Sequence, residues 1–397
     1  MNIQTANRLE TVEEYYFSTK LREVRALALA GNPIINMAIG SPDLDPPKEV
    51  VQAIQDAVLV DGAHKYQSYQ GLPELRKAIA DFYSAKYQVI LNPENEILPL
   101  MGSKEGIMHI SLAYLNEGDQ VLIPNPGYPT YTSVTKLVGA EPVYYDLTLE
   151  NNWEPDFKKL SEQDISKVKI MWVNYPHMPT GAAANLNLFK KLIAFAKEHN
   201  ILLINDNPYS FVLNDRPVSL LSLEGAKDVA LELNSLSKTF NMAGWRVGMV
   251  SGGQDKINAI LKVKSNMDSG MFQGIQKGAI AALQISDHWY TKMNTIYKER
   301  REWIWSLAEV LNCTYDKTAA GMFVWAKLPA GTDSIEFIDT ILHKYSVFIT
   351  PGAIFGSNGE GYIRFSLCVT KENIEKALSR LKNHEMGAHD TVVNQKV

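Results

Sequence analysis

Cysteine is nearly absent: among 397 residues only Cys313 and Cys368 carry thiols. Neither lies in a Cys-x-x-Cys or histidine-rich setting, so no metal and no disulfide framework is expected. Two isolated thiols fit a reducing cytosol and read as small core residues. Net charge is small as well, at −5 over the whole length. That argues against a nucleic-acid or anionic-membrane partner. No apolar stretch approaches the length of a membrane span. The opening Met1-Asn2-Ile3-Gln4-Thr5 has neither a basic region nor an apolar core, so a secretory signal is not expected and the cytoplasm is. Repeats, low-complexity tracts and long linkers are missing too.

What the chain does have is apolar material, 46% of its residues, enough for a sizeable core in two or three structural units. Strand-like apolar runs recur at Glu96–Met101, Gln120–Pro124, Pro142–Asp146, Val168–Asn174, Ile201–Asn205, Val229–Asn234 and Val247–Ser251. Amphipathic segments such as Lys104–Leu115 and Leu188–His199 lie between them. Strands alternating with helices predict an α/β fold with a mostly parallel sheet and right-handed crossovers. From about residue 286 the texture changes. Tyr290–Val310 reads as a long charged helix, Gly321–Leu328 and Val347–Thr350 as short strands, and Glu385–Val397 as a frayed tail.

The chemistry concentrates in Ser235-Leu236-Ser237-Lys238, with Arg246 eight residues later. A lysine between hydroxyls, followed by a fixed cation, suits a phosphate-bearing aldehyde: the amine condenses with the carbonyl while hydroxyls and guanidinium hold the phosphate. Alone, the stretch also reads as a strand end followed by a basic turn. Upstream, the apolar run Ile201–Asn205 ends on Asp206, with Tyr209 three residues on. An aspartate at the carboxyl end of a parallel strand points into the crevice where open α/β sheets bind ligands. Pyridoxal phosphate needs such a carboxylate to keep its ring nitrogen protonated. Asp206 alone could equally start a turn before Pro208; beside Lys238 and Arg246 the functional reading is favoured.

Eight landmarks then run in order along the chain. They are Ile39-Gly40-Ser41-Pro42-Asp43; Tyr66 with Gly71-Leu72-Pro73-Glu74-Leu75-Arg76; Gly102-Ser103-Lys104-Glu105-Gly106; and Pro126-Gly127-Tyr128-Pro129. Asn174-Tyr175-Pro176 with Pro179-Thr180-Gly181, Asp206 with Tyr209, Ser235 to Arg246, and Gly361 to Ser366 complete the series. In these the chain resembles the class I/II aminotransferases of pyridoxal-phosphate fold type I, nearly end to end. The resemblance implies a three-layer α/β/α large domain with a mostly parallel sheet (47–285), a smaller α/β domain (286–397), and an N-terminal segment (1–46) joining the latter. It implies pyridoxal 5'-phosphate as cofactor and transfer of an amino group from an L-amino acid to a 2-oxo acid, 2-oxoglutarate being the expected acceptor.

Residue by residue, the resemblance makes Lys238 the amine that carries the cofactor and moves the proton. Asp206 holds the ring nitrogen and Tyr209 donates to the ring hydroxyl. Tyr128 stacks on the ring. The phosphate falls to the amides of Ser103 and Lys104 after Gly102, and to Ser235 and Arg246. Arg364, which strand alternation alone would turn to solvent, takes the substrate carboxylate, with the Gly40 backbone as helper. Tyr66 reaches the neighbouring subunit's phosphate, implying a homodimer with shared sites. Asn174 belongs to the cofactor set. The departure is Met178, where the family carries an asparagine that donates to the ring hydroxyl; a thioether cannot donate. Asn174 or His177 could restore that bond. Side-chain selectivity is expected from loop residues and the segment around Tyr15–Lys20. The rival activity on the same apparatus is carbon–sulfur β-elimination. A transcription regulator of this fold would carry a basic helix-turn-helix region before Gly40, and none is seen.

Overall fold

The computed structural model describes residues 3–393, without side-chain detail beyond 382. Seven strands form the main sheet: β1 (Ile97–Leu100), β2 (Gln120–Asn125), β3 (Glu141–Asp146), β4 (Val168–Val173), β5 (Leu202–Asp206), β6 (Ala230–Ser235) and β7 (Gly248–Gly252). Each lies where the apolar runs predict, displaced by one residue at most. Their order is β1-β7-β6-β5-β4-β2-β3. Neighbours pair in parallel except around β7, which runs antiparallel to both β1 and β6.

The continuous apolar character of these strands follows from burial on both faces. Successive side chains separate cleanly: Ile170, Trp172, Leu202 and Ile204 enter one core, while Met171, Val173 and Leu203 enter the other. Ile107 and Ile110 from the helix Ser103–Tyr114, with Ile257 and Ile260 from Gln254–Lys264, cover the first face. On the opposite face the helix Leu186–His199 buries Leu188, Phe189, Leu192, Ile193 and Phe195, a stripe of helical period. Asn185 caps its start by accepting from the Leu188 amide at 2.8 Å. Asn200 ends it in the left-handed conformation.

A second, antiparallel sheet takes Thr350–Pro351, Tyr362–Ser366, Phe323–Lys327 and Thr314–Tyr315 in that order. The long helix His288–Val310 is present as read. The segment Val347–Thr350, read as one strand, is divided. Val347–Phe348 pairs in parallel with Ile35–Asn36, and the chain then switches sheets so that Thr350–Pro351 pairs with Tyr362–Ser366. Pro351 offers no N–H, which confines this pairing to an edge. The last helix runs Lys371–Val393, so the tail read from Glu385 is helical at its start; 394–397 lie outside the described residues.

Candidate active site

A cavity of about 630 Å³ opens over the carboxyl ends of β4, β5 and β6. Strand Tyr362–Ser366 and the segment Tyr15–Leu21 help to form its other wall. Asn174, Asp206, Tyr209, Ser235, Lys238, Arg246, Ser103, Lys104, Tyr128, Gly40 and Arg364 all line it. Ligand crevices of open α/β sheets sit at such strand ends.

Asp206 closes β5 and is 5% exposed. Its Oδ2 accepts from the Tyr131 hydroxyl at 2.9 Å. Its Oδ1 is buried with no hydrogen-bond partner. Burial pushes the carboxyl up to about 6, although the Tyr131 bond and the Lys238 charge pull the other way. Tyr131, stacked on Trp172 at 4.9 Å, was not singled out from the sequence. Its signal is spacing: it follows Tyr128 by one helical turn at the start of Pro129–Leu137.

Lys238 sits in the short turn Leu236–Thr239 that follows β6, with Ser235 as the capping residue. The Ser235 hydroxyl accepts from the Ser237 amide at 3.1 Å. Lys238 Nζ donates to the Gly40 carbonyl at 2.5 Å. Burial holds its pKa below the usual lysine value; Arg364 and Arg246 push the same way, against the thiol of Cys368 and Asp206. An amine so placed sheds its proton readily.

Gly102 adopts a φ of 94°, and a Cβ there would lie 2.0 Å from Arg246 Nη2. The guanidinium therefore rests against a bare Cα at the start of helix Ser103–Tyr114, whose first turn carries no side-chain cap. Free amides and a cation at a helix N-terminus form an anion cradle. The Lys104 ammonium lies 4.8 Å over the Tyr15 ring, and burial, then Arg246, lower its pKa.

Arg364 is 4% exposed, not turned to solvent. Nη2 donates to the Ala38 carbonyl at 2.8 Å and Nη1 approaches Met178 Sδ at 3.3 Å; Nε has no partner. The Phe323 ring lies 4.0 Å from its Cζ and the Phe355 ring 4.8 Å. Burial brings its pKa down to about 10. Gly40, expected to help hold the substrate carboxylate, lines the cavity. Its carbonyl engages Lys238, and its bare Cα leaves room for the Phe323 ring, which a Cβ would meet at 2.4 Å.

Among the described residues, Lys104, Lys238, Arg246 and Arg364 form no ion pair with any carboxylate. Four basic side chains thus share one cavity with a single buried carboxylate. Arg364 is the buried one, and because a buried charge left unpaired is costly it calls for an anionic ligand.

Two residues stand apart. Tyr66 is 90% exposed and does not line its own chain's cavity. The Asn174 side chain is committed, donating to the Asp206 carbonyl and accepting from the Met178 amide at 2.8 Å. Separately, Glu105, His109 and Asp268 hold three potential ligand atoms within 4.8 Å of one another. Lys264 already neutralises Asp268 there, at 2.9 Å.

The family model for aminotransferase class I and II matches residues 32–381. The chain belongs to this aminotransferase family. An LL-diaminopimelate aminotransferase of Dehalococcoides mccartyi is 43% identical over 97% of this chain and 100% of its own. One from Aquifex aeolicus is 39% identical over 95% and 98%. A substrate-bound structure of BacF from Bacillus subtilis superposes with a TM-score of 0.93 at 37% identity, covering 96% of this chain and 98% of that one.

Pyridoxal phosphate is the cofactor of this aminotransferase, and the cavity fits it. The orphaned Asp206 Oδ1 suits a protonated ring nitrogen, the Gly102 cradle suits a phosphate, and the Lys238 amine suits an aldehyde. No helix among the described residues is long and apolar enough to cross a membrane.

Proposed function

We propose that this aminotransferase moves the amino group of an L-α-amino acid to 2-oxoglutarate at the Lys238 cavity. The carrying observation is that cavity's make-up: four basic side chains, Arg364 buried among them, without acidic ion-pair partners around one buried carboxylate. Lys238 carries the cofactor. Asp206 keeps the ring nitrogen protonated, with Tyr131 holding the carboxylate in place. Tyr209 donates to the ring hydroxyl and Tyr128 lies against the ring. The amides of Ser103 and Lys104, the Ser235 hydroxyl and Arg246 take the phosphate; Gly102 leaves room for it. Asn174 acts by holding the backbone of Asp206 and Met178.

Bound there, pyridoxal phosphate supplies a carbonyl that captures the amino group and a ring that accepts the electron pair released at Cα. Arg364 orients the substrate by a two-pronged grip on its α-carboxylate, which lysine could not reproduce. Lys238 Nζ takes the proton from the substrate Cα, and its burial favours the neutral amine this requires. The apolar wall of Phe17, Phe323 and Phe355 excludes water from the proton in transit.

Two sheets of opposite pattern support a division into an N-terminal segment (1–46), a large domain (47–285) and a small domain (286–397). The exposed Tyr66 supports a homodimer in which each subunit lends this phenol to the other's phosphate. The free thiols fit a cytoplasmic setting.

The deciding measurement feeds the purified protein a panel of L-amino acids, including LL-diaminopimelate because relatives carry its name. Product should appear only when 2-oxoglutarate is present, with glutamate formed in equal amount. Pyruvate and ammonia without an acceptor would instead mean β-elimination. For the shared site, inactive Lys238→Ala mixed with inactive Tyr66→Ala should regain activity. Failure to do so despite subunit exchange would refute the lent phenol.

A further inference from the structure

We infer that Glu105 is a positioning residue for the cofactor phosphate: its carboxylate clamps the bend at Met101 and Gly102 that aims the Ser103 and Lys104 amides. This rests on the phosphate cradle proposed above. Strand β1 ends at Leu100, whose ladder partner is Gly248, so Met101 lies beyond the last pair of the sheet. Gly102 follows with a φ of 94°, in a region open chiefly to glycine. The same freedom lets the amides after a glycine swing, unless something spans the bend.

Glu105 spans it. The residue stands in the first turn of helix Ser103–Tyr114, and its Oε2 accepts from the Met101 amide at 2.7 Å. A glutamate reaching back from this turn is the return half of a capping box, here extended to the amide ahead of the cap. The forward half is missing, because glycine at the cap has no side chain to offer. The Met101 carbonyl lies 3.5 Å from Arg246 Nη2, so the guanidinium assigned to the phosphate holds the other face of the same residue. Gly248 seats the bend on β7: a Cβ there would meet the Ser103 nitrogen at 2.6 Å. One turn along the helix, His109 is 2% exposed, and its Nε2 lies 3.4 Å from Glu105 Oε1. Glu105 itself does not line the cavity. It therefore acts on the phosphate through the backbone it fixes, and what the bend needs from it is an acceptor oxygen, not a charge.

The test compares pyridoxal phosphate with pyridoxal, which lacks the phosphate, by equilibrium dialysis against the full-length cofactor-free chain. Glu105→Ala removes one partly exposed hydrogen bond to a charged group; it should weaken pyridoxal phosphate about five- to tenfold and leave pyridoxal within about twofold. Glu105→Gln keeps an acceptor oxygen without the charge and should stay within about threefold of the native chain for both compounds. Inorganic phosphate, which competes for the cradle, should displace pyridoxal phosphate less well from Glu105→Ala than from the native chain. Unchanged pyridoxal phosphate affinity in Glu105→Ala would overturn the inference. Equal weakening of both compounds would do the same, since it means general damage, and so would a Gln variant as weak as the Ala variant, since the charge would then matter and not the bond. A native chain that binds the two compounds equally well would overturn the phosphate cradle itself, a separately recognisable result.

Discussion

The wall that carries Lys238 and Asp206 is built differently from the wall that carries Arg364. The first is assembled from consecutive strand ends: Asn174 follows β4, Asp206 closes β5, Ser235 closes β6, and Lys238 comes one turn later. Their backbones are held locally: Asn174 bonds the Asp206 carbonyl on the next strand, and Ser235 caps the turn that carries Lys238. The second is assembled from distant segments, with Phe17, Ala38, Met178, Phe323 and Phe355 meeting around a strand near the chain's end. Reaction chemistry sits on the local wall and recognition on the composite one. Damage to the first should therefore cost turnover, and damage to the second should cost substrate binding and selectivity.

The largest effect is expected at Lys238. Lys238→Ala removes the amine that moves the Cα proton, a role worth on the order of 10⁴-fold by itself. The fold should survive, because the turn is capped by Ser235 and not by the lysine. The check is borohydride reduction followed by mass measurement. Cofactor trapped on the variant chain would move the assignment to another lysine.

This same contrast explains what could be read in advance. That Asp206, Lys238, Arg246 and Gly102 would gather at one site was legible because each lies in a short motif near a strand or helix end. Tyr131 was missed although only one turn from Tyr128, since nothing local says that its hydroxyl meets Asp206 across two strands. The burial of Arg364 was legible only through the family likeness. Strand alternation turns it to solvent, and only the packing of Phe17, Phe323 and Phe355 encloses it. The contact between the Gly40 carbonyl and Lys238 was not legible for the same reason: the two lie 198 residues apart.

Next in size comes Arg364→Lys. Lysine keeps the charge but loses the second prong of the grip, a hydrogen bond to a charged group worth about 1.5–3 kcal/mol, roughly ten- to a hundredfold. Most of that loss should appear in KM for both donor and acceptor, since each brings an α-carboxylate. A loss confined to kcat would place Arg364 on the chemical wall and erase the contrast.

Asp206 allows a comparison through pH. In the cofactor-free protein its carboxyl is raised from 3.8 to about 6 by burial. Between these values the unfolded chain has lost the proton while the folded chain keeps it. Stability from this group is thus fully present below pH 3.8 and lost as pH rises through 6. A pKa raised by about two, at about 1.4 kcal/mol for each tenfold change in proton affinity, makes that loss about 3 kcal/mol. Urea unfolding of the cofactor-free protein should show this fall between about pH 4 and 7, and Asp206→Asn should flatten it. Added cofactor should restore stability near neutral pH in the native protein, because a protonated ring nitrogen offers the ionised carboxylate a partner. If the slope persists in Asp206→Asn, another buried acid such as Glu232 governs it.

The smallest effect belongs to Met178, which touches both walls: its backbone amide reaches Asn174 and its sulfur reaches Arg364. Of the substitutes considered for the missing donor, Asn174 is engaged, and His177, whose buried Nε2 has no partner, does not line the cavity. Asn174 is committed at both ends of its amide, and His177 Nδ1 lies 2.8 Å from the Thr180 hydroxyl. Met178→Asn would supply an amide N–H₂ towards the cofactor's ring hydroxyl and a better acceptor than sulfur for Arg364. A hydrogen bond to a charged group is worth about 1.5–3 kcal/mol, or roughly one to two pKa units. Titrating the bound cofactor's absorbance should therefore show its transition at lower pH in the variant. KM for the donor should change by less than about tenfold. An unmoved transition with a clearly altered KM would assign Met178 to the recognition wall alone. The asparagine's absence would then tell of substrate choice, not of cofactor tuning.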